Sequence, residues 1–468
     1  MQGSLSERSK MLGSMPMRQL VPKVSVPIMI SMVVQALYNV VDSIFVARFN
    51  PDALTAVSLA YPVQMLMIAL STGMGVGINS LMSRKLGAGR ADEARRVAWN
   101  GLLIELIGTL IILMIGLFLT PGIMRGLVSD NLNRADDIRR MGESYLSIVT
   151  TWSLGIFMTI LFERMLQATG NSLNAMMTQL AGAITNIILD PIMIFGYLGC
   201  PRLGISGAAI ATVIGQFVSA VLGLILNQRK NPELKLRLSE CRIEGRLLKG
   251  ILAVGLPSTV MQAISSVMNL GMNRLLSGFA DQGNAAVNVL NVYFKLQSFV
   301  FMPVFGLGSG MLAIVGYNYG ARLKQRVYEA IKVCLIYALV ILGVGMLLFL
   351  SIPSQLMSVF ESDVDPAAAA QMRDLGVVAL RVISTQFLLA AVGITLSNVF
   401  QAVGKGIYSM VISLCRQLLV LLPVAWLLKQ SFGTVDAVWW CFPIAEGVSA
   451  LICVLLYRKC DRELIAKL

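Results

Sequence analysis

The chain has 468 residues, of which 56% are hydrophobic and only 13% are charged. Because a soluble domain carries roughly 25% charged residues, this composition excludes a water-soluble protein. The net charge of +13 is concentrated in short clusters between long apolar segments, a pattern typical of membrane proteins and not of nucleic-acid-binding proteins.

The residue types available limit the chemistry further. The sequence has no histidine and seven cysteines, and no two cysteines are spaced as C-x-x-C. Imidazole is therefore excluded as a proton carrier or metal ligand, and neither a disulfide framework nor a zinc site is indicated. Without a clustered catalytic set we expect no enzyme activity and no cofactor.

Twelve segments are mostly apolar over the roughly 20 residues that a membrane helix needs. In chain order they are predicted at 24–48, 53–82, 97–120, 144–165, 173–197, 203–227, 250–276, 284–316, 331–353, 376–401, 407–429 and 435–457. The predicted fold class is therefore all-α, a polytopic membrane protein with twelve transmembrane helices.

The distribution of basic residues predicts the orientation of these helices. Residues 1–23 form a polar, basic tail without a signal peptide, and most of the 38 Lys and Arg residues lie in this tail and in every second loop. Because Lys and Arg accumulate on the cytoplasmic side, we expect both termini in the cytoplasm and the protein in the cell inner membrane.

Weak internal repeats divide the chain into two halves. The sequence QATG at Gln167–Gly170 returns as QAVG at Gln401–Gly404, and Pro27 returns as Pro257 at nearly the same separation. Chance similarity of glycine-rich helix ends is the alternative interpretation. A true repeat predicts two six-helix lobes related by pseudo-two-fold symmetry, with a substrate site between them, as in transporters.

The predicted domain boundaries follow from this division. They are a cytoplasmic N-terminal tail at 1–23, an N-lobe at 24–227, a cytoplasmic linker at 228–249, a C-lobe at 250–457 and a cytoplasmic tail at 458–468.

Charged residues inside the predicted spans are candidates for function, because each costs at least about 2.5–3.5 kcal/mol at membrane depth. They are Asp42, Glu105, Asp190, Lys295, Arg381, Arg416 and Glu446.

Polar residues accompany the two aspartates at helical spacing. The first span carries Ser31, Gln35 and Tyr38 on the same face as Asp42. The fifth span carries Gln179 and Asn186 on the same face as Asp190. Both spans run in the same direction, so the two carboxylates are predicted at a similar depth.

Two neighbouring carboxylates in a membrane suit cation coupling. Burial and mutual repulsion disfavour two negative charges, so the pair Asp42 and Asp190 can bind and release a proton. The same carboxylates, with the carbonyl of Asn186 and the hydroxyl of Tyr38, could instead bind Na⁺. In the alternative interpretation, each aspartate is separately paired for structural reasons.

The second half has no matching acid, because Met272 stands where the repeat places the counterpart of Asp42. Lys295 could repel cations or pair with an acid across a cavity, and Glu446 could have a structural partner or line the cavity. Arg416 is expected to pair with a loop acid. Cation coupling is therefore predicted in the N-lobe alone.

Two further charges are expected to be structural. Arg381 lies near a span end, where its long side chain can reach the membrane surface, and Glu105 lies two turns inside its span.

Several blocks of sequence resemble the multidrug and toxic compound extrusion family over the whole chain. They are PIMISMVVQALYNVVDSIFVARF, GINSLMSRKLGAGRADEA, TNIILDPIMIFG and VYFKLQSFVFMPVFGLGSGMLAIVGYNYGA. The resemblance implies a V-shaped fold of two lobes and a proton- or sodium-driven antiporter. It also implies coupling through Tyr38, Asp42, Asn186 and Asp190. Gln262, Ser265 and Lys295 replace the acids that some members carry in the C-lobe.

The predicted function is therefore export of small organic, often cationic, compounds in exchange for H⁺ or Na⁺. The cavity candidates are Ser31, Gln35, Gln179, Lys295 and Glu446. The alternative is a flippase for a lipid-linked precursor of the same superfamily. The expected partners are these substrates and membrane lipids, without nucleic acid, and the protein is expected to work as a monomer.

Overall fold

A computed structural model of the protein describes residues 7–128, 134–279, 282–360 and 366–468. Twelve helical units long enough to cross a membrane follow one another in this part of the chain, and we number them α1 to α12. They are α1 Met17–Phe49, α2 Pro51–Gly87, α3 Ala91–Leu127, α4 Ala135–Thr151 with Leu154–Ala168, α5 Ser172–Phe195, α6 Ile205–Lys230, α7 Gly245–Ser277, α8 Gly283–Gly320, α9 Lys324–Ser351, α10 Pro366–Ser384 with Phe387–Ala402, α11 Gly406–Phe432 and α12 Val435–Ile465.

Ten of these units are single helices with the length and apolar composition of membrane spans. The other two, α4 and α10, are bent by 44° and 50° at a short break, and each bent pair passes the same test as one span. The break in α4 follows Thr151 and that in α10 follows Ser384. These breaks occupy corresponding places in the two halves, and the predicted fold of twelve spans is confirmed.

The helices extend beyond several predicted boundaries. Helix α1 begins at Met17 instead of residue 24, so Lys23 lies inside the helix. Helix α6 ends at Lys230 and α7 begins at Gly245, so the linker between the lobes covers 231–244 instead of 228–249. Charged residues at helix ends do not interrupt the backbone hydrogen bonds, whereas the apolar pattern that predicts a span stops at them.

The two lobes are α1–α6 and α7–α12. Within the first lobe, α1 packs on α5, and α6 packs on both α4 and α5; within the second, α8 packs on α9 and the second part of α10 packs on α12. Between the lobes the main contacts are α2 with α7 and α1 with α8. The first two helices of each half therefore meet along the interface, as the internal repeat predicts.

Glycines allow the lobes to approach closely near the chain termini. A Cβ atom on Gly77 of α2 would lie 2.3 Å from the carbonyl oxygen of Ile251, and one on Gly306 of α8 would lie 2.6 Å from the Cα of Met29. A Cβ on Gly87 would lie 1.9 Å from the carbonyl oxygen of Tyr317. We call this set of contacts the glycine seam, and we call the face of the molecule that it closes the terminal face.

Away from the terminal face the lobes separate. Lys295 and Asn288 lie about three and five turns from Gly306 on the same face of α8, yet both are exposed. Val40 lies about three turns from Met29 on α1 and is 46% exposed. Residues that face the other lobe are thus uncovered in this half, and the cavity between the lobes opens on the face opposite the termini.

A short N-terminal helix, Glu7–Ser14, lies on the terminal face, and we call it the strap. Its Leu12 side chain is fully buried. Asn318 Nδ2 donates to the Leu12 carbonyl over 2.9 Å, and Arg326 Nη2 donates to the Met15 carbonyl over 2.8 Å. These bonds attach the strap to α8 and α9 of the second lobe.

The linker 231–244 connects the strap to the first lobe. The Ser9 hydroxyl donates to the carboxylate of Glu233 in the linker. At the other end of the linker, Arg96 of α3 forms a 2.9 Å ion pair with Glu244. The strap and linker therefore tie both lobes together at the terminal face.

Replacing Arg326 with Ala should loosen the strap. The substitution leaves the carbonyls of Leu12 and Met15 without their guanidinium donor, a loss worth about 1–3 kcal/mol. We expect a lower thermal unfolding temperature and faster proteolysis at the strap. Arg462→Ala removes an exposed arginine near the C-terminus and serves as the control. Equal behaviour of the two variants would show that burial of Leu12 and the bonds from Asn318 and Ser9 retain the strap without Arg326.

Candidate functional site

The predicted coupling residues lie on two helices in contact within the first lobe. Tyr38 and Asp42 belong to α1, and Asn186 and Asp190 belong to α5, which packs directly on α1. Asp190 is fully buried and Asn186 is 3% exposed. The spacing of four residues in each helix places all four side chains on the surfaces that meet.

The carboxyl groups of Asp42 and Asp190 interact directly with each other. The Oδ1 atom of Asp42 is buried and accepts no hydrogen bond from the part of the chain that the structure describes. Two like charges in contact repel, so a proton or a cation between them would stabilise the pair. Such a pair of carboxyls suits the binding of one cation at a time, and its release when the surroundings of the carboxyls change.

Asn186 connects Asp190 to α6. With its amide oriented so that both ends are satisfied, Asn186 donates to Asp190 Oδ2 over 3.3 Å. Its oxygen then accepts from Thr212 through the hydroxyl at 3.3 Å and the backbone N–H at 3.2 Å. In this state the Asn186 oxygen, predicted as a possible sodium ligand, is occupied by Thr212, and the free oxygen at the site belongs to Asp42.

Aromatic hydroxyls surround the carboxyl pair. Tyr38 lies close to Asp42, Asp190 and Tyr61. Tyr145 of α4 lies close to the same two aspartates and forms a hydrogen bond with Gln64. The sequence identified only Tyr38 of these.

Four further residues of the site were not predicted, and all of them come from helices other than the two that carry the acids. They are Tyr61, Gln64, Tyr145 and Thr212. Tyr61 and Gln64 lie three residues apart on α2, a helical spacing that could have indicated a polar face. Thr212 and Tyr145 are isolated polar residues among apolar neighbours, and nothing in the local pattern distinguishes them.

The polar face of α1 that carries Asp42 continues towards the terminal face, where its side chains make two kinds of contact. Gln179 Nε2 donates to Gln35 Oε1 over 3.0 Å, so these cavity candidates join α5 to α1. Ser31 was also predicted to line the cavity, but it is only 3% exposed and donates to the Pro27 carbonyl of its own helix over 3.0 Å. That bond satisfies the hydroxyl locally, so Ser31 is buried in this state, and its assignment to the cavity stays a prediction.

The remaining cavity candidates belong to the second lobe and lie apart from the carboxyl pair. Lys295 is exposed on the interface side of α8, and its Nζ lies 5.9 Å from the ring centre of Phe360. Glu446 is 4% exposed and pairs with Arg416 over 3.1 Å. The expected loop partner of Arg416 is therefore wrong, because the acid is supplied by α12.

A second buried charged group occupies the first lobe. Glu105, Glu163 and Arg164 are 0%, 5% and 6% exposed, and Arg164 interacts with both acids. Arg164 Nη1 also donates to Gln167 Oε1 over 2.7 Å. The structural role expected for Glu105 stays a prediction. Glu163 and Arg164 were not singled out, because they fall at the end of a predicted span, where charges usually reach water.

The comparisons with known proteins cover nearly the whole chain. The MatE family model matches residues 27–192 and 257–427. The multidrug export protein MepA of Staphylococcus saprophyticus is 27% identical over 445 residues, which are 95% of this chain and 94% of that protein. MepA of Staphylococcus aureus is 25% identical over 94% of this chain and 93% of its own length.

Solved structures share the architecture. A multidrug resistance MATE family transporter of the MOP superfamily in an outward-facing conformation superposes with a TM-score of 0.88 at 25% identity, covering 98% of this chain and 99% of that chain. A MATE in complex with MaL6 gives a TM-score of 0.90 at 25% identity with the same coverage. The two-lobe fold, the twelve spans and the match of the family model to both lobes lead to one conclusion. The chain belongs to the MatE family of membrane transporters.

Proposed function

We propose that the protein exports small organic, often cationic, compounds in exchange for H⁺ or Na⁺. The observation that supports this proposal most strongly is the contact between Asp42 and Asp190 in the buried part of one lobe. Within the described ranges no Lys or Arg side chain lies against this pair, and such a pair suits a transporter that carries a cation in one direction. The two staphylococcal relatives are named multidrug export proteins, which favours drug export over the lipid-precursor flippase.

The proposed mechanism uses the lobes as rigid bodies that close alternately at one face and the other. In the described state the glycine seam closes the terminal face, and the cavity is open on the opposite face. Binding of a cation neutralises the repulsion between Asp42 and Asp190, and α1 and α5 can then pack more tightly. Tyr38 and Asn186 hold the two carboxyls in place. Alternate closure of the two faces then exchanges substrate for cation.

The proposal includes an orientation in the membrane. The basic strap, the linker and the C-terminus share the terminal face, and positive residues favour the cytoplasm. We therefore place both termini in the cytoplasm, the cavity open to the outside, and the protein in the cell inner membrane. One chain supplies both lobes, so the proposed working unit is a monomer, with no cofactor besides the transported cation.

Efflux of ethidium from proteoliposomes under an imposed pH gradient or an imposed Na⁺ gradient tests the function. We expect one of the two gradients to drive ethidium transport in the purified protein, and that gradient identifies the coupling cation. Liposomes without protein and liposomes with both gradients collapsed serve as controls.

Two outcomes would contradict the proposal. Equal transport with and without either gradient would show that export is not coupled to a cation. Absence of transport for ethidium and for several other organic cations, combined with movement of a fluorescent lipid-linked pyrophosphate between leaflets, would support the flippase instead.

A further inference from the structure

The second lobe contains a buried ion pair that the proposed mechanism does not use. Arg416 Nη1 lies 3.1 Å from Glu446 Oε2, and the side chains are 32% and 5% exposed. The other carboxyl oxygen, Oε1 of Glu446, is buried and accepts no hydrogen bond within the described ranges. Tyr293 interacts with both charges and is joined to Gln386 over 3.4 Å. The pair and its two polar neighbours therefore come from four helical units of the lobe.

The internal repeat relates this pair to the carboxyl site of the first lobe. Thr212 and Glu446 are separated by the same number of residues as Gln167 and Gln401, the first residues of the repeated QATG and QAVG motifs. By the same separation, Arg416 corresponds to Gly182 in α5. The ion pair thus lies on α11 and α12, the counterparts of α5 and α6, which form one side of the site around Asp190.

The acids of the first lobe are absent from the second. The separation between the QATG and QAVG motifs places Val424 where α5 has Asp190, and the slightly shorter separation between Pro27 and Pro257 places Met272 where α1 has Asp42. Met272 is fully buried. Among the described residues around this pair, Glu446 is therefore the one carboxylate, and its partner is a guanidinium fixed to the chain.

Local backbone features accommodate the pair. Residues Cys415–Leu421 of α11 form a π-helical segment, and such segments occur frequently at functional sites. On the opposite side of the pair, a Cβ on Gly393 would lie 3.2 Å from Glu446 Oε1. A side chain at position 393 would press against the carboxylate, whereas glycine leaves room for it.

We propose that the guanidinium of Arg416 is a tethered cation that fills, in the second lobe, the role of the exchangeable cation in the first. Arginine stays protonated in proteins, so it neutralises Glu446 permanently and no cation from solution is needed there. Coupling is thereby confined to Asp42 and Asp190. The inference rests on the proposed function for its role in coupling, but the state of Glu446 can be measured independently of transport.

Removal of Arg416 should convert Glu446 into a cation-binding site. A buried carboxylate that loses its partner is strongly destabilised unless it takes up a proton or another cation. In Na⁺-free buffer near neutral pH, we expect Arg416→Gln to gain one infrared band of a protonated carboxyl group. The double variant Arg416→Gln with Glu446→Gln should lack that band, which assigns it to Glu446. A missing band in the single variant would overturn the proposal.

The single variant Glu446→Gln provides a test in which Arg416 is retained. Because the Glu446 carboxyl is held in an ion pair with Arg416, this variant should lose no protonated-carboxyl band and should keep the wild-type number of cations per transported ethidium. Loss of a band, or a smaller number of cations, would show that Glu446 itself binds the coupling cation and would overturn the proposal. Wild-type liposomes without any cation-driven flux would contradict the proposed function, while the infrared result would still decide the state of Glu446.

Discussion

Asp42→Asn and Asp190→Asn should each reduce gradient-driven ethidium export to the level of protein-free liposomes. Asparagine has nearly the shape of aspartate but cannot release a proton and carries no negative charge to attract a cation. The contact between the two side chains can persist as a neutral hydrogen bond, so we expect folding and thermal stability to be preserved. The measurement is the initial efflux rate under the active gradient, with the unfolding temperature of each purified variant.

Asp52→Asn is the matched control for these variants. Asp52 lies at the start of α2, where it forms an ion pair with the exposed Arg134 over 2.8 Å. Surface pairs of this kind contribute only about 0–1 kcal/mol, so export should remain near the wild-type rate. Wild-type export in Asp42→Asn would remove this residue from the coupling site. Loss of export in Asp52→Asn as well would indicate a general sensitivity to charge.

Thr212→Val should lower the export rate less than substitution of either acid does. The substitution removes the hydroxyl that donates to the Asn186 oxygen, while the backbone N–H remains as a second donor. A lost hydrogen bond of this kind costs about 0.5–1.5 kcal/mol, so we expect a partial decrease in the rate. A rate equal to that of Asp190→Asn would show that Thr212 contacts the cation directly.

Gly77→Val should prevent closure of the terminal face and abolish transport. The new side chain would overlap the carbonyl of Ile251 and the backbone N of Gly255, which lies 2.8 Å from the Cβ position. Backbone atoms cannot move aside as a flexible side chain can, and overpacking typically costs about 1–3 kcal/mol or more. We expect the efflux rate to fall to background. We also expect a cysteine introduced at Ser25, which is buried against Gly310 of the other lobe, to become accessible to water-soluble thiol reagents.

Gly447→Val is the control for backbone effects of the same substitution. Gly447 lies inside α12, and a Cβ there meets no atom within 4 Å. Any change that results merely from valine replacing glycine in a helix should appear in both variants. Normal export by Gly77→Val would show that the terminal face can close without the tight contact at Gly77. Failure of both variants would attribute the loss to helix stability.

The sequence predicted which acids and polar residues come together in the first lobe, and their role in coupling stays a proposal. Charged residues are rare in membrane helices, so Asp42 and Asp190 were conspicuous, and helical spacing added Tyr38 and Asn186. The structure brings all four together. Thr212 and Tyr145 remained unidentified, because an uncharged polar residue in a membrane helix has little cost and leaves no mark in the composition.

Pairings between distant segments were not predictable in the same way. Arg416 and Glu446 were each recognised as buried charges, yet their partnership depends on how α11 and α12 pack. Ser31 shows the opposite case, since it shares a face with Asp42 but donates to its own helix. Which residues share a helix face follows from their spacing in the sequence. Which neighbour that face contacts depends on how the helices of the lobe pack.

By itself, the sequence determined the membrane class, the number of spans, the division into two lobes and the acids of the first lobe. These follow from hydropathy, periodicity and the cost of charge in lipid, all of which act along a single helix. Only the tertiary structure decided that the lobes close along the glycine seam at the terminal face, and that Arg416 neutralises Glu446. Those features depend on close contacts between helices far apart in the chain, where a few ångströms and one side chain determine the outcome.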